Sequence, residues 1–214
     1  GGVVASDDIH QQIRDMEKPV VISMGEVAAS GGYYISAGAD EIICNPNTLT
    51  GSIGVISQFI NIDDFLEEHG IDAVVLTSGE YKDAGGLFSD MTEADRELWQ
   101  EIIDDAYNSF FEVVVEGRGL EREKVMEVAD GRVLSGKQAR DAGLVDGFGT
   151  LDTAIQRAGE LGGIEGDPSI FEYRQPATFF DTLLSSTAER DPVQQLKELT
   201  GLHATSRLMY LYVP

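Results

Sequence analysis

The hydrophobic positions fall into two rhythms. Short apolar runs at Val20-Val21-Ile22-Ser23-Met24, Glu41-Ile42-Ile43-Cys44, residues 53–56 and Ala73-Val74-Val75-Leu76 read as buried strands. Between them, residues 4–16, 31–39 and 62–69 read as helices. That alternation predicts an α/β fold with mainly parallel strands and crossover helices. The second half is mostly helical. Thr92-Glu93-Ala94-Asp95 has the form of a capping box, and Leu98, Ile102, Ala106, Phe110 and Val113 continue one apolar face until Gly117-Arg118-Gly119 ends it. Ser135-Gly136-Lys137-Gln138 is a second capping-box start, and Asp130-Gly131 and Asp146-Gly147 are turn signals. Residues 159–168, rich in glycine and acids, read as a linker between a domain over 1–158 and a C-terminal arm over 169–214. The arm ends in an apolar, strand-like tail, Arg207 to Pro214.

Composition changes this picture in three ways. With 214 residues, 42% of them hydrophobic, the chain can bury a sizeable core. No apolar run reaches the roughly 20 residues of a membrane-spanning helix. The first residue is Gly1, followed by an apolar stretch, so the start reads as a cut inside a larger protein with any anchor upstream of it. Asp and Glu number 38 against 15 Lys and Arg, a net charge of −23 spread along the whole chain. Such a surface repels phosphates and disfavours nucleic-acid partners. Acid-rich and poor in Lys, it has the look of adaptation to high salt, where screening relieves self-repulsion; an ordinary acidic protein is the alternative. The single cysteine, Cys44, excludes an intrachain disulfide and reads as a core residue, and nothing around it suggests a zinc site.

Two segments could carry chemistry. Ala28-Ala29-Ser30-Gly31-Gly32-Tyr33-Tyr34 follows a strand and opens a helix. A serine there is ordinarily an N-cap. Small flanking residues, however, would let a substrate backbone come close, and the N–H of Gly31 would face a developing oxyanion at the positive end of the helix dipole. A serine hydroxyl needs a base. His10, His69 and His203 stand in no glycine-marked motif. Lys82 does, in Ser78-Gly79-Glu80-Tyr81-Lys82-Asp83-Ala84-Gly85-Gly86, directly after the expected strand 73–77. Loops at the carboxyl ends of parallel strands commonly build sites, so Ser30 and Lys82 could converge. An ammonium group has no lone pair, so a lysine base must be held neutral, which burial does. A solvated lysine paired with Glu80 or Asp83 is the plain alternative.

Ala29-Ser30-Gly31-Gly32-Tyr33-Tyr34, Leu49-Thr50-Gly51-Ser52-Ile53-Gly54-Val55 and Ser78-Gly79-Glu80-Tyr81-Lys82-Asp83 resemble the motifs of the signal peptide peptidase A family. The likeness continues through Ala129-Asp130-Gly131-Arg132-Val133, Ala142-Gly143-Leu144-Val145-Asp146 and the tail from Ser206 to Tyr212, so it covers nearly the whole chain in order. The resemblance implies a serine endopeptidase with a Ser/Lys dyad on a fold like that of Clp protease and the crotonases. Ser30 matches the nucleophile and Lys82 the general base. Ser52 matches a hydroxyl that orients the lysine amine. Gly1-Gly2-Val3-Val4 matches the end of a Ser-Pro-Gly-Gly stretch that supplies an oxyanion N–H, with Gly1 the better match for the donor.

The resemblance further implies a homo-oligomer, an octameric ring or dome in short members, in which the lysine serves the serine of a neighbouring copy. It implies an N-terminal membrane anchor with the catalytic domain outside the cytoplasm, hydrophobic peptides such as remnant signal peptides as substrates, and no metal or cofactor. The apolar tail is expected to complete a sheet, make an oligomer contact or lie as an added strand in the substrate groove. Two other function classes compete: a catalytically inactive scaffold of a membrane complex, and a crotonase-like acyl-CoA enzyme, for which no basic cluster is evident.

Overall fold

The computed structural model describes residues 1–173 of the chain. Residues 1–168 belong to one compact unit, and Ser169 opens a second. The C-terminal tail singled out above lies outside the described residues.

In chain order the elements are α1 (Val3–Arg14), β1 (Val21–Ser23), β2 (Val27–Ala29), α2 (Gly31–Ser36), β3 (Glu41–Cys44), β4 (Leu49–Gly51), α3 (Asp63–Glu68), α4 (Glu93–Arg118), α5 (Arg122–Met126), β5 (Val133–Ser135), α6 (Gly136–Asp141), β6 (Gly147–Phe148) and α7 (Leu151–Leu161). The protein is thus a mixed α/β structure. One sheet runs β1-β3-β6, all parallel; the other runs β2-β4-β5, with β2 and β4 parallel and β5 antiparallel to β4.

The helix signals hold closely. Thr92 and Ser135 both close complete capping boxes, and Gly119 ends α4 in the left-handed conformation that favours glycine. The acid-rich stretch after 158 begins as helix, because α7 continues to Leu161.

Two expected strands are not strands. Residues 53–55 run irregularly and Ile56 makes only an isolated bridge: Ile53 is fully buried, but its carbonyl accepts from the N–H of Gly131 in a loop contact rather than a ladder. Residues 73–76 are also irregular, with Val74 81% and Leu76 92% exposed. An apolar run is a propensity signal only. A strand also needs a neighbour to take its backbone hydrogen bonds, and among the described residues none pairs with 73–76.

The core forms around α2, which packs against α1, β2, β4 and α4. Tyr33 and Tyr34 of α2 are buried with Ile42, Cys44, Phe110, Val114 and Leu144. The Tyr33 hydroxyl donates to the Leu144 carbonyl at 2.9 Å, and the Tyr34 and Phe110 rings lie 5.0 Å apart. On α4, Gly117 faces α2 so closely that a Cβ there would lie 2.1 Å from the Ala37 carbonyl oxygen. The Arg118 guanidinium pairs with Asp146 at 2.5 Å, while the other carboxylate oxygen of Asp146 accepts from the N–H of Ile42 at 2.7 Å. These contacts fix α2, and with it the residue that precedes it. Cys44 sits in this core as expected; burial pushes its thiol up from the ordinary value, so it is an unreactive packing residue.

Candidate active site

Ser30 stands between β2 and α2, at the point where the chain turns from strand to helix. Its backbone has φ 54° and ψ −118°, and its side chain makes no capping hydrogen bond. The N-cap reading of this serine therefore fails on geometry. Positive φ on a non-glycine residue costs on the order of 1–3 kcal/mol and persists only where the surroundings impose it. Here they do. The Ser30 N–H donates to the Gly51 carbonyl at 2.8 Å, and its own carbonyl accepts from the N–H of Tyr34 at 2.8 Å. The same strained strand-to-helix turn presents the nucleophilic serine of α/β-hydrolases. Ser30 is 1% exposed, and its Oγ is buried without a hydrogen-bond partner. A buried hydroxyl with no partner is uncommon and calls for an explanation beyond stability.

Ser52 follows β4 as Ser30 follows β2. In the β2–β4 ladder Ala29 is opposite Gly51, so the two serines leave adjacent parallel strands side by side. Among the described residues they are the non-glycine residues with positive φ, Ser52 at 51°. The Ser52 N–H donates to the Arg132 carbonyl at 2.8 Å, which ties this turn to β5. Between them sits Thr50, fully buried, whose hydroxyl donates to the Ala28 carbonyl at 2.7 Å. Thr48 repeats the device two residues earlier, donating to Gly25 at 2.8 Å. Sequence reasoning assigned no role to these threonines, although their period of two along a strand was a readable signal.

Gly31 and Gly1 come together. A Cβ built on Gly31 would lie 3.2 Å from both the Cα and the N of Gly1, and 2.8 Å from Ser6 Oγ. Gly31 is therefore glycine because two other groups fill the space of a side chain. Its N–H lies in the first turn of α2, where no intrahelical acceptor exists. Gly2, the other match for that donor, is the N-cap of α1 and has open space around it.

Lys82 is placed differently. It lies in a run of tight turns at 79–86, with its N–H donating to the Gly79 carbonyl at 3.2 Å. Its side chain is exposed and forms neither a hydrogen bond nor an ion pair with the described residues, Glu80 and Asp83 included. Within one chain, then, the fold brings Ser30, Ser52, Gly31 and Gly1 into one neighbourhood and leaves Lys82 without contact to Ser30 Oγ. His10 is buried beneath α2 and its Nδ1 lies 3.2 Å from the Tyr34 carbonyl, while His69 caps its own helix turn at Phe65, so neither acts on Ser30 Oγ, which has no partner. Among the described residues no group of His, Cys, Asp and Glu could hold a metal ion, and no helix is long and apolar enough to cross a membrane.

A mixed α/β domain with a strained serine at a strand-to-helix turn belongs to the architecture that hydrolytic enzymes use repeatedly. The sequence profile of Peptidase family S49 matches residues 12–165, and the chain belongs to that family. The Synechocystis protein slr0021 is 41% identical over 169 residues, covering 78% of this chain and 61% of the relative. Protease 4 of Haemophilus influenzae is 33% identical, covering 95% of this chain and 34% of its own length. The chain thus spans about three fifths of the first and about a third of the second. Among solved structures, a ClpP1 mutant from Listeria monocytogenes aligns with a TM-score of 0.45 and 21% identity, covering 70% of this chain and 68% of that one.

Proposed function

We propose that the protein is a serine endopeptidase of the signal peptide peptidase kind, with Ser30 as nucleophile and Lys82 as general base. The observation that carries this reading is Ser30 itself: a strained, non-capping, buried hydroxyl at a strand-to-helix turn in a chain of a peptidase family. Ser30 attacks the scissile carbonyl and gives its proton to neutral Lys82. The oxyanion is held by the N–H groups of Gly31 and Gly1. Lys82 then protonates the leaving amine and later activates the water that hydrolyses the acyl-enzyme. Ser52, the neighbour of Ser30, orients the lysine amine. Because Ser30 Oγ is buried, a peptide reaches it only after displacing what covers it.

The exposure of Lys82 and its lack of contact with Ser30 fit a dyad shared between copies of the chain, as the family resemblance implies: the lysine of one copy completes the serine site of the next. The exposed apolar residues Ile71, Val74 and Leu76, just ahead of Lys82, are what such a contact would bury. Hydrophobic peptides are the proposed substrates, the homo-oligomer the working form, and a membrane anchor outside this chain its tether. A domain over 1–158, a linker and a C-terminal arm remain the proposed organisation. The net charge of −23 makes molar salt the proposed working condition.

The test is hydrolysis of a fluorogenic hydrophobic peptide in molar KCl by the intact protein, by Ser30→Ala, by Lys82→Ala and by a mixture of the two variants. Turnover lost in each variant and regained in the mixture supports the shared dyad. Variants that retain turnover, singly, refute it.

A further inference from the structure

We propose that Ser6 is a positioning residue of this site: its hydroxyl sets the gap between the Gly1 and Gly31 backbones, from which the two oxyanion donors are offered. The inference rests on the serine-peptidase reading above and assigns a residue that this reading does not contain.

Helix α1 packs against α2, yet its buried residues are both polar, Ser6 and His10, four positions apart on one face. A face that only packed would be expected to carry Ala, Leu or Val. His10 holds the far end of α2 through its approach to the Tyr34 carbonyl. Ser6 meets the near end. It is 3% exposed, and its Oγ lies 2.8 Å from the position of a Cβ on Gly31 and 3.1 Å from that of a Cβ on Gly1. The hydroxyl is thus wedged between the two glycines that the site needs at a fixed separation, directly beside the strained Ser30. The wedge is rigidly mounted, because the Ser6 N–H donates to the Gly2 carbonyl at 3.0 Å in the first turn of α1. Alanine would serve helix α1 better by propensity, and in a purely structural role would fill nearly the same volume. The polar atom is what distinguishes the site.

A hydroxyl acting through the glycines affects the transition state more than the bound substrate, since the oxyanion exists only during reaction. In the intact protein, Ser6→Ala is expected to lower kcat about 10- to 100-fold, the scale of a misplaced catalytic group, and to leave KM within about twofold. Its thermal midpoint stays at or above that of the wild type. The rate of labelling by a fluorophosphonate, which builds the same tetrahedral geometry, falls in parallel. Ser6→Cys, of similar reach but a weaker donor, falls between the two. Wild-type kcat in Ser6→Ala overturns the inference, and so does a loss of kcat that is matched by a loss of thermal stability. Ser30→Ala is measured alongside. If it turns over like the wild type, the peptidase reading itself is wrong and takes this inference with it, whereas an inactive Ser30→Ala beside a fully active Ser6→Ala rejects the inference alone.

Discussion

The segment that holds Ser30 and the segment that holds Lys82 are built on opposite principles. Residues 27–52 are pinned closely: two parallel strands in register, the Thr50 hydroxyl bonded across them, and two serines forced to positive φ. Residues 71–86 have no strand partner among the described residues, expose Val74 and Leu76, and end in turns that leave Lys82 in solvent. Ser30, the proposed nucleophile, is held in place by contacts within a single chain. Lys82, the proposed base, is not, and among the described residues nothing covers the apolar stretch ahead of it. The contrast is what the proposed shared dyad would require: a serine turn held by its own chain, and a lysine segment whose apolar approach is left uncovered by the described residues.

The largest expected effect sharpens this comparison directly. Ser30→Ala and Lys82→Ala each lower peptide turnover by at least about 10³-fold, because members of such a unit act together. Mixing the two variants should restore turnover, because each supplies the group that the other lacks. Steady-state kinetics on the separate and mixed proteins checks both statements.

Next in size is Gly31→Ala. The added methyl meets Ser6 Oγ and the Gly1 backbone, which destabilises by about 1–3 kcal/mol as overpacking does. It also spreads the oxyanion donors, so activity falls further than stability. Denaturant unfolding beside turnover separates the two effects. In the other segment, Leu76→Asp should leave the stability of the isolated chain within about 0.5 kcal/mol, as exposed substitutions usually do, while abolishing assembly; sedimentation of the variant decides it.

A smaller effect is expected at Thr50. Thr50→Val keeps the shape and removes the hydrogen bond to Ala28, at a cost of about 1–2 kcal/mol. The loosened ladder should lower kcat modestly without touching KM.

Smallest is a pH effect beneath α2. Burial holds the His10 imidazole below its ordinary value, against the opposing pull of the Tyr34 carbonyl, with Arg14, Asp7 and Glu116 as the nearby charges. A base whose folded value is depressed contributes its full stability above the unfolded value of about 6.5 and loses it as pH falls from there through the folded value. Stability should therefore decline on acidification below about pH 6.5, and His10→Asn, which keeps a donor for Tyr34, should flatten that part of the profile. An unchanged slope in the variant contradicts this.

Much of this was legible in the sequence where local chemistry decides. The capping boxes at Thr92 and Ser135, the glycine stop at Gly119 and the helix after Ser30 need only their own residues and neighbours. The strand at 73–76 was misread because four apolar residues do not reveal whether a ladder partner exists. Ser30 was marked by its flanking glycines, but its positive φ and the failure of its hydroxyl to cap depend on the Gly51 carbonyl, far along the chain. Ser6 was invisible for the same reason: nothing in Val3 to Ile9 says that the fourth residue of α1 faces Gly31.

On the proposed mechanism Ser30 carries the covalent chemistry. Its most direct measurement is mass-spectrometric mapping of a fluorophosphonate adduct on the intact protein in molar KCl. A single phosphonylated residue, Ser30, is expected, with labelling lost in Ser30→Ala and strongly slowed in Lys82→Ala. An adduct on another residue, or labelling that persists in Ser30→Ala, would contradict it.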